Sequence, residues 1–548
     1  MYCIALTRPL YSTGGVIVRS VLDHGTFDRM REGLWGTFSS SPKVKKTMTT
    51  AFDVIVIGAG ISGIDAAHHL KTTTTKTFAV LERRSSYGGT WDLFTYPGVR
   101  SDSDMFTFGY AHKPWKSEKS IAPGNDILAY LKEAIEDDEL HQHIQFDTKV
   151  VRASWSSIDS RWHLTTSEGV RYECQFLIGA TGYYEQDAGY EPLQSMDGVD
   201  EFLSVPGNKM IHPQKWGDET VDWENKNVVV VGSGATAVTL IPNLTDKAKH
   251  VTMLQRSPTY IMGRPNKDNV ASFLLSLPLL PQSLVHSLLR WRVVLRGAFY
   301  QALWSRMEPE ALKKMFLGYM RQMLPEQYMS DEEFEKHFVP AYFPWQQRLC
   351  LCPDFDFYKV LKNGEATIVT DHIERFDANG IQLKSGKHLQ ADLIITATGL
   401  VLQRNAPMAG MLVDIDGVEY IAKEHTVYEG CMLDGVPNFG FITGYFTASW
   451  TLKADIICSY LSRVINYMDV HDMEQCCPIK DENFVQNMGV FDVVKSGYVQ
   501  RGREHALMQG EKAPWRALDN YAMDRLHLDW KTMEDGALKF VKTRRARM

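Results

Sequence analysis

The chain has no Cys-x-x-Cys pair. Its eight cysteines, Cys3, Cys174, Cys350, Cys352, Cys431, Cys458, Cys476 and Cys477, are scattered irregularly over 548 residues. That spacing excludes a disulfide framework and fits reduced thiols in a cytoplasmic-type compartment. It excludes a redox-active dithiol as well. Cys350 and Cys352 stand close together, but no second pair or histidine cluster accompanies them, so no metal is expected. There is no long basic run, and the formal net charge is −7, so nucleic acid is not an expected partner. No apolar run is long enough for a membrane span. Apolar residues are abundant, at 44% of the chain, enough for two to four domains with large cores.

The first 49 residues differ from the rest. They carry Arg8, Arg19, Arg29, Arg31, Lys43, Lys45 and Lys46 and a Ser-Ser-Ser-Pro run at 39–42. A mitochondrial targeting segment is one reading. Asp23, Asp28 and Glu32 count against it, because transit peptides are poor in acids. A disordered extension, or an upstream start ahead of Met48, is the other.

Order is predicted to begin at Asp53. Asp53-Val54-Ile55-Val56-Ile57 reads as a buried parallel strand. Gly58-Ala59-Gly60-Ile61-Ser62-Gly63 follows at once, and Ile64 to Leu70 read as a helix. Strand, GxGxxG and helix in this order form the dinucleotide-binding unit. The glycines allow a tight turn, and the helix N-terminus faces a pyrophosphate. Phe78 to Leu81 read as the second strand, and it ends in Glu82, an acceptor for ribose hydroxyls.

A second such unit starts at Asn227. Val228 to Val231 form the strand, and Gly232-Ser233-Gly234-Ala235-Thr236-Ala237 the loop, with Ala in the third glycine place. Val251 to Gln255 form the next strand, followed by Arg256 and Ser257. Gly63 to Glu82 and Ala237 to Arg256 are each 19 residues apart. The position is acidic in the first unit and basic in the second. A carboxylate repels a 2′-phosphate, whereas an arginine pairs with it. The first unit is therefore expected to hold FAD and the second NADPH.

Two strands ending in Ala-Thr-Gly, Phe176 to Gly182 and Asp392 to Gly399, bracket the second unit. This implies an α/β fold of two Rossmann-like dinucleotide-binding domains, the FAD domain interrupted by an inserted NADPH domain. The expected boundaries are 50–185 and 390–470 for the FAD domain and 186–389 for the NADPH domain. A helical insert is expected over about 268–335. Its apolar stretches are interrupted by Arg290, Arg292 and Arg296, which favours a lid and leaves membrane-surface association as the alternative. Ile144 to Val151 read as one strand and Ser449 to Leu461 as the closing helix. Residues 471–548 read as a charged C-terminal arm wrapping the surface.

Between the first strand pair and the next helix lies Gly88-Gly89-Thr90-Trp91-Asp92-Leu93-Phe94-Thr95-Tyr96-Pro97-Gly98-Val99-Arg100-Ser101-Asp102. Gly88, Gly89, Trp91, Tyr96, Pro97, Gly98 and Asp102 occupy every fixed position of the long signature of type I Baeyer–Villiger monooxygenases. Chance agreement at seven positions is very improbable at ordinary residue frequencies. Further segments, Met253 to Ile261, Pro344 to Cys350, Ile394 to Leu400 and Ala448 to Asp455, resemble the ethionamide-activating branch of that family. The short family signature is incomplete. His212 and Trp216 are correctly spaced, but Pro206, Asn208 and Gly217 replace fixed residues.

The resemblance implies a mechanism. NADPH reduces FAD, O2 adds to the flavin, and the resulting C4a-peroxyflavin places one oxygen next to a ketone carbonyl to give an ester or lactone. It assigns Arg348 as the catalytic arginine and Asp102 as the acid orienting it. It places Gly89, Thr90, Trp91, Asp92, Tyr96 and Asp102 along FAD, Val150 beside the adenine, and Arg100 and Ser101 at NADP. A small-molecule sulfide or amine is the alternative substrate to a ketone, and a flavoprotein that does not turn over is the alternative outside enzymes. The oligomeric state is not legible. The Glu82–Arg256 contrast generates a first prediction. Arg256→Ala should raise KM for NADPH by roughly 10- to 100-fold, the value of a charged hydrogen bond. KM for NADH, measured by the same initial-rate assay, should change little.

Overall fold

The computed structural model describes residues 49–542 except 298–299, 301–303, 446–447, 482–483, 487 and 494–495. The amino-terminal extension read from the sequence lies outside the described residues. The expected strand over 53–57 is β1, Thr49–Ile57, and it runs into the glycine loop and α1, Ile61–Thr73. Then come β2 (Phe78–Leu81), α2 (Gly124–Asp137), β3 (Ile144–Gln145), β4 (Val150–Ser156), β5 (Arg161–Thr166) and β6 (Arg171–Gly179). The chain leaves this region and builds β7 (Lys209–Ile211), β8 (Asn227–Val231), α3 (Ala235–Leu244) and β9 (His250–Gln255). Helices follow, chief among them α4 (Gln282–Gly297), before β10 (Ala366–Thr370) and β11 (Leu393–Ile395). The return carries β12 (Leu412–Ile415), β13 (Val418–Glu419), β14 (Phe439–Phe441) and α5 (Trp450–Val470).

Two sheets hold these strands. Among the described residues the first has nine strands, in the order β13-β12-β4-β5-β6-β1-β2-β3 with β14 also paired to β6. The second has five, in the order β10-β9-β8-β11-β7. Every pair in the second sheet is parallel. Parallel strands covered by helices read as continuous apolar runs, and Val54 to Val56 and Val228 to Val230 are at most 1% exposed. The architecture is thus one Rossmann-type unit interrupted by another. β6 and β14 are neighbours in register, Leu177 against Phe439, although the whole second sheet lies between them in sequence.

Three expectations need correction. The run Ile144 to Val151 is not one strand. Asp147 takes a left-handed φ of 52°, and the turn is held by Asp147 N donating to Arg84 O (3.0 Å) and Thr148 N to Glu82 O (2.8 Å). The closing helix continues nine residues beyond Leu461, because Val464, Ile465 and Met468 keep its buried face apolar. The C-terminal arm does not merely wrap the surface. Cys476, Leu528 and Leu538 are 0–3% exposed and join the core around α1 and α5. No helix of the described residues is long and apolar enough to cross a membrane.

One buried group in α1 carries an electrostatic cost. Asp65 is fully buried, and neither carboxylate oxygen finds a hydrogen-bond partner among the described residues. His69, His112, Asp455 and Arg290 surround it. Burial and the neighbouring Asp455 push its carboxyl up to about 8. An unfolded aspartate ionises near 3.9. Between these values the native state holds one proton more than the unfolded state, so stability falls as pH rises. Asp65→Asn should remove that dependence. Its unfolding free energy, read from denaturant melts, should match that of the parent near pH 4 and exceed it by a margin growing at up to about 1.4 kcal/mol per pH unit toward pH 8.

Candidate active site

The two glycine loops have almost the same backbone. Gly60 caps α1 at φ −75°, ψ −176°, and Gly234 caps α3 at φ −78°, ψ −178°. Neither cap uses a side chain, so the first amides of both helices are open to an anion. Space is made by absence of side chains. A Cβ on Gly63 would lie 1.8 Å from Gly58 O, and one on Gly89 would lie 3.0 Å from the Gly60 Cα. Gly89 thus brings the signature segment onto the first loop.

Glu82 is 4% exposed, and its carboxylate accepts from Ala59 N (2.6 Å) and Arg84 N (2.8 Å). Burial raises its pKa. This fixed acceptor at the end of β2 fits a ribose diol. Val150, buried at the start of β4, follows the turn hydrogen-bonded to Glu82 O. Ile61 O accepts from Tyr110, and Ser62 Oγ accepts from Trp450 Nε1 at 2.7 Å, which ties the start of α5 to α1. In the second unit Ser233 Oγ donates to Ser257 O at 2.9 Å, while Arg256 and Ser257 are exposed beside it. Both sets fit a dinucleotide, with an acidic ribose partner in one and a basic phosphate partner in the other.

The signature segment runs from one unit to the other. Thr90 bonds the Tyr184 hydroxyl, Trp91 meets Phe108 edge-on at 5.7 Å, and Asp92 pairs with Arg84 at 2.7 Å. Tyr96 shares a hydrogen bond with Thr236 of α3, and burial pushes its hydroxyl up to about 12. Gly98 has φ 75° and lies against Asn243 of α3, leaving no room for a Cβ. Arg100 pairs with Asp356, and Ser101 is buried with its N–H on Ala122 O and its hydroxyl on Ser103 O. Asp102 pairs with Arg348. The Asp102 carboxylate holds the Arg348 pKa above the ordinary value. The Arg348 side chain is 38% exposed, toward a cavity of about 980 Å³. Apolar side chains dominate that cavity, among them Met262, Val293, Leu295, Phe316, Trp345 and Leu452. The arrangement sets the Asp102-paired guanidinium of Arg348 on the wall of a large, mainly apolar chamber that Arg264, Arg296 and Arg306 also line. Cys350 and Cys352 are buried on the following strand, and burial pushes both thiols up to about 12.

Sequence reading missed the aromatic group around Arg348. Tyr183 stacks on Trp450 at 5.4 Å and on its other side approaches Tyr498 at 6.5 Å. Trp450 lay in a segment already singled out, but nothing local marked Tyr183 or Tyr498. His212 is 3% exposed. Its Nδ1 accepts from Gln214 N, so Nε2 donates to Gly399 O at 3.1 Å. It joins the ends of β7 and β11. Trp216 packs on Trp223 at 5.9 Å.

This fold and site define a two-nucleotide flavin oxidoreductase. Residues 55–270 match the model of the pyridine nucleotide-disulphide oxidoreductases. The FAD-containing monooxygenase EthA of Mycobacterium tuberculosis is 43% identical over 501 residues, covering 90% of this chain and 99% of that protein. The probable FAD-binding monooxygenase AlmA of Acinetobacter baylyi is 40% identical over 503 residues, 90% of this chain and 97% of that protein. The chain belongs to this family of FAD-containing monooxygenases. Among solved structures, an oxidised steroid monooxygenase bound to NADP superposes with a TM-score of 0.69 at 20% identity, covering 90% of this chain and all of that one. Closed cyclohexanone monooxygenase gives 0.65 at 18% identity with the same coverage. These confirm the fold. Glu82→Ala should weaken flavin retention by roughly 10- to 100-fold, through loss of a charged hydrogen bond. The flavin-to-protein absorbance ratio after dialysis measures it.

Proposed function

We propose that this protein is an NADPH-dependent FAD monooxygenase that inserts one oxygen atom of O2 beside the carbonyl of an apolar ketone, giving an ester or lactone. The observation that carries the reading is the Asp102–Arg348 pair facing the apolar cavity. FAD, held by Gly58, Gly60 and Glu82, supplies the ring chemistry that takes a hydride from NADPH and delivers electrons to O2. The protein residues do the rest. Arg348 provides a fixed positive charge where negative charge develops, and such preorganised charge is strongest in a dry site. Asp102 keeps the guanidinium aimed and charged. Tyr183, Trp450 and the apolar cavity wall give it a mainly apolar surround. Arg256 selects the 2′-phosphate of NADPH.

The cavity volume lies at the upper end for small-molecule sites and favours a bulky, lipophilic substrate. On α4, Leu284, Leu288, Trp291 and Leu295 are 42–62% exposed and spaced to form one stripe. Leu295 also lines the cavity. The stripe supports loading of apolar substrate from a membrane surface.

Incubation with NADPH, O2 and a panel of alkyl ketones and sulfides, with products read by mass spectrometry, tests the reading. Ketones should gain one oxygen atom. Oxygenation of sulfides alone would replace the carbonyl assignment with heteroatom oxidation. Arg348→Ala should reduce product formation by roughly 100-fold or more, the scale of losing one charge-stabilising group. NADPH consumption should then appear as released hydrogen peroxide.

A further inference from the structure

The second dinucleotide loop has a cation on each side. Arg256 stands at the end of β9, on one flank of β8. On the other flank lies the end of β11, where Ala397 O sits 2.2 Å from the place a Cβ on Gly232 would occupy. The chain beyond it, Thr398 to Leu400, forms a small platform. Thr398 donates its hydroxyl to Tyr190 O (2.6 Å), and Tyr190 N donates to Gly399 O (3.2 Å). A short helix of the C-terminal arm, α6 (Gly497–Gly502), lies on this platform. Its Arg501 stacks on the Tyr190 ring with the guanidinium carbon 3.5 Å from the centroid. Arg501 Nη2 also donates to Leu400 O at 3.3 Å.

Those contacts aim the guanidinium without neutralising it. Among the described side chains, no carboxylate lies within ion-pair distance of Arg501 or Arg256. Burial lowers the Arg501 pKa; Tyr190 opposes that shift, and the positive charge of Arg256 adds to it. Two like charges held near each other cost stability unless an anion lies between them. The amides at the start of α3, which no side chain caps, follow the end of β8, the strand between β9 and β11. In a Rossmann unit the adenosine half lies over the strand that ends in Arg256, and the pyrophosphate lies at the helix N-terminus. Arg501 approaches from the opposite flank, on the β11 side.

We propose that Arg501 is a second phosphate-binding cation of the NADPH site and grips the pyrophosphate, whereas Arg256 grips the 2′-phosphate. The proposal rests on the assignment of NADPH to this unit. It gives the C-terminal arm a part in cofactor binding. A cation on the pyrophosphate serves NADP+ and NAD+ alike, whereas a cation on the 2′-phosphate serves NADP+ alone.

Equilibrium titration of the FAD-loaded protein with NADP+ and with NAD+ at low ionic strength separates these roles. Arg501→Ala should raise Kd for both nucleotides by a similar factor, roughly 10- to 100-fold. Arg501→Lys, which keeps the charge, should recover part of the loss. Arg256→Ala should weaken NADP+ alone. Circular dichroism and flavin content of nucleotide-free Arg501→Ala should match the parent, so that the loss is one of nucleotide binding and not of fold. Unchanged Kd values in Arg501→Ala would overturn the proposal, as would a loss confined to NADP+. Failure of the parent protein to bind either nucleotide would instead overturn the NADPH assignment itself.

Discussion

The ion pair between Asp102 and Arg348 joins chain segments 246 residues apart. Asp102 closes the signature segment of the first unit, and Arg348 belongs to the stretch that completes the second. A guanidinium facing an apolar cavity is expensive to hold without a counter-charge. The carboxylate removes most of that cost and also fixes direction. The signature segment that ends in Asp102 is held on both units, by Gly89 against Gly60 on the first and by Tyr96 with Thr236 and Gly98 against Asn243 on the second. The joint between the two units is therefore built on the same residues that carry the proposed chemistry.

Much of this was legible because the signals are local. A strand, a glycine loop and a helix follow each other within 20 residues, and the residue proposed to distinguish the two nucleotides, Glu82 in one unit and Arg256 in the other, sits at a fixed offset. Steric rules for glycine and electrostatics at one position suffice to read them. The signature segment was legible only through family resemblance. Its composition marks a turn, but not that the turn reaches Thr236 and Asn243.

What escaped the sequence is non-local. Tyr183 follows an Ala-Thr-Gly strand end, and Tyr498 and Arg501 share one short helix some 315 residues later, so their meeting with Arg348 and Tyr190 depends on the fold and not on any local pattern. The C-terminal arm was misjudged for a related reason. Its buried residues, Cys476, Val499, Trp515 and Leu528, are too widely spaced to show helical or strand periodicity. They fill gaps between elements and do not make an element of their own. The split between β3 and β4 turned on two backbone hydrogen bonds that an apolar run cannot reveal.

The pairing of β6 with β14 has a consequence for synthesis. The inserted sheet is built from one uninterrupted stretch, Lys209 to Ile395, all of which precedes Phe439. The first sheet is not. Its strand β6 waits for Phe439, and α1 waits for Trp450, until some 260 and 390 further residues have been made. Contacts that close such long loops form late, and domains emerging from the ribosome fold as units when they can. The nascent chain thus holds every strand of the second nucleotide unit while the first, begun earlier, still lacks β14 and α5. In that interval the β6 edge and the α1 face lack their native cover, the kind of exposure that invites aggregation.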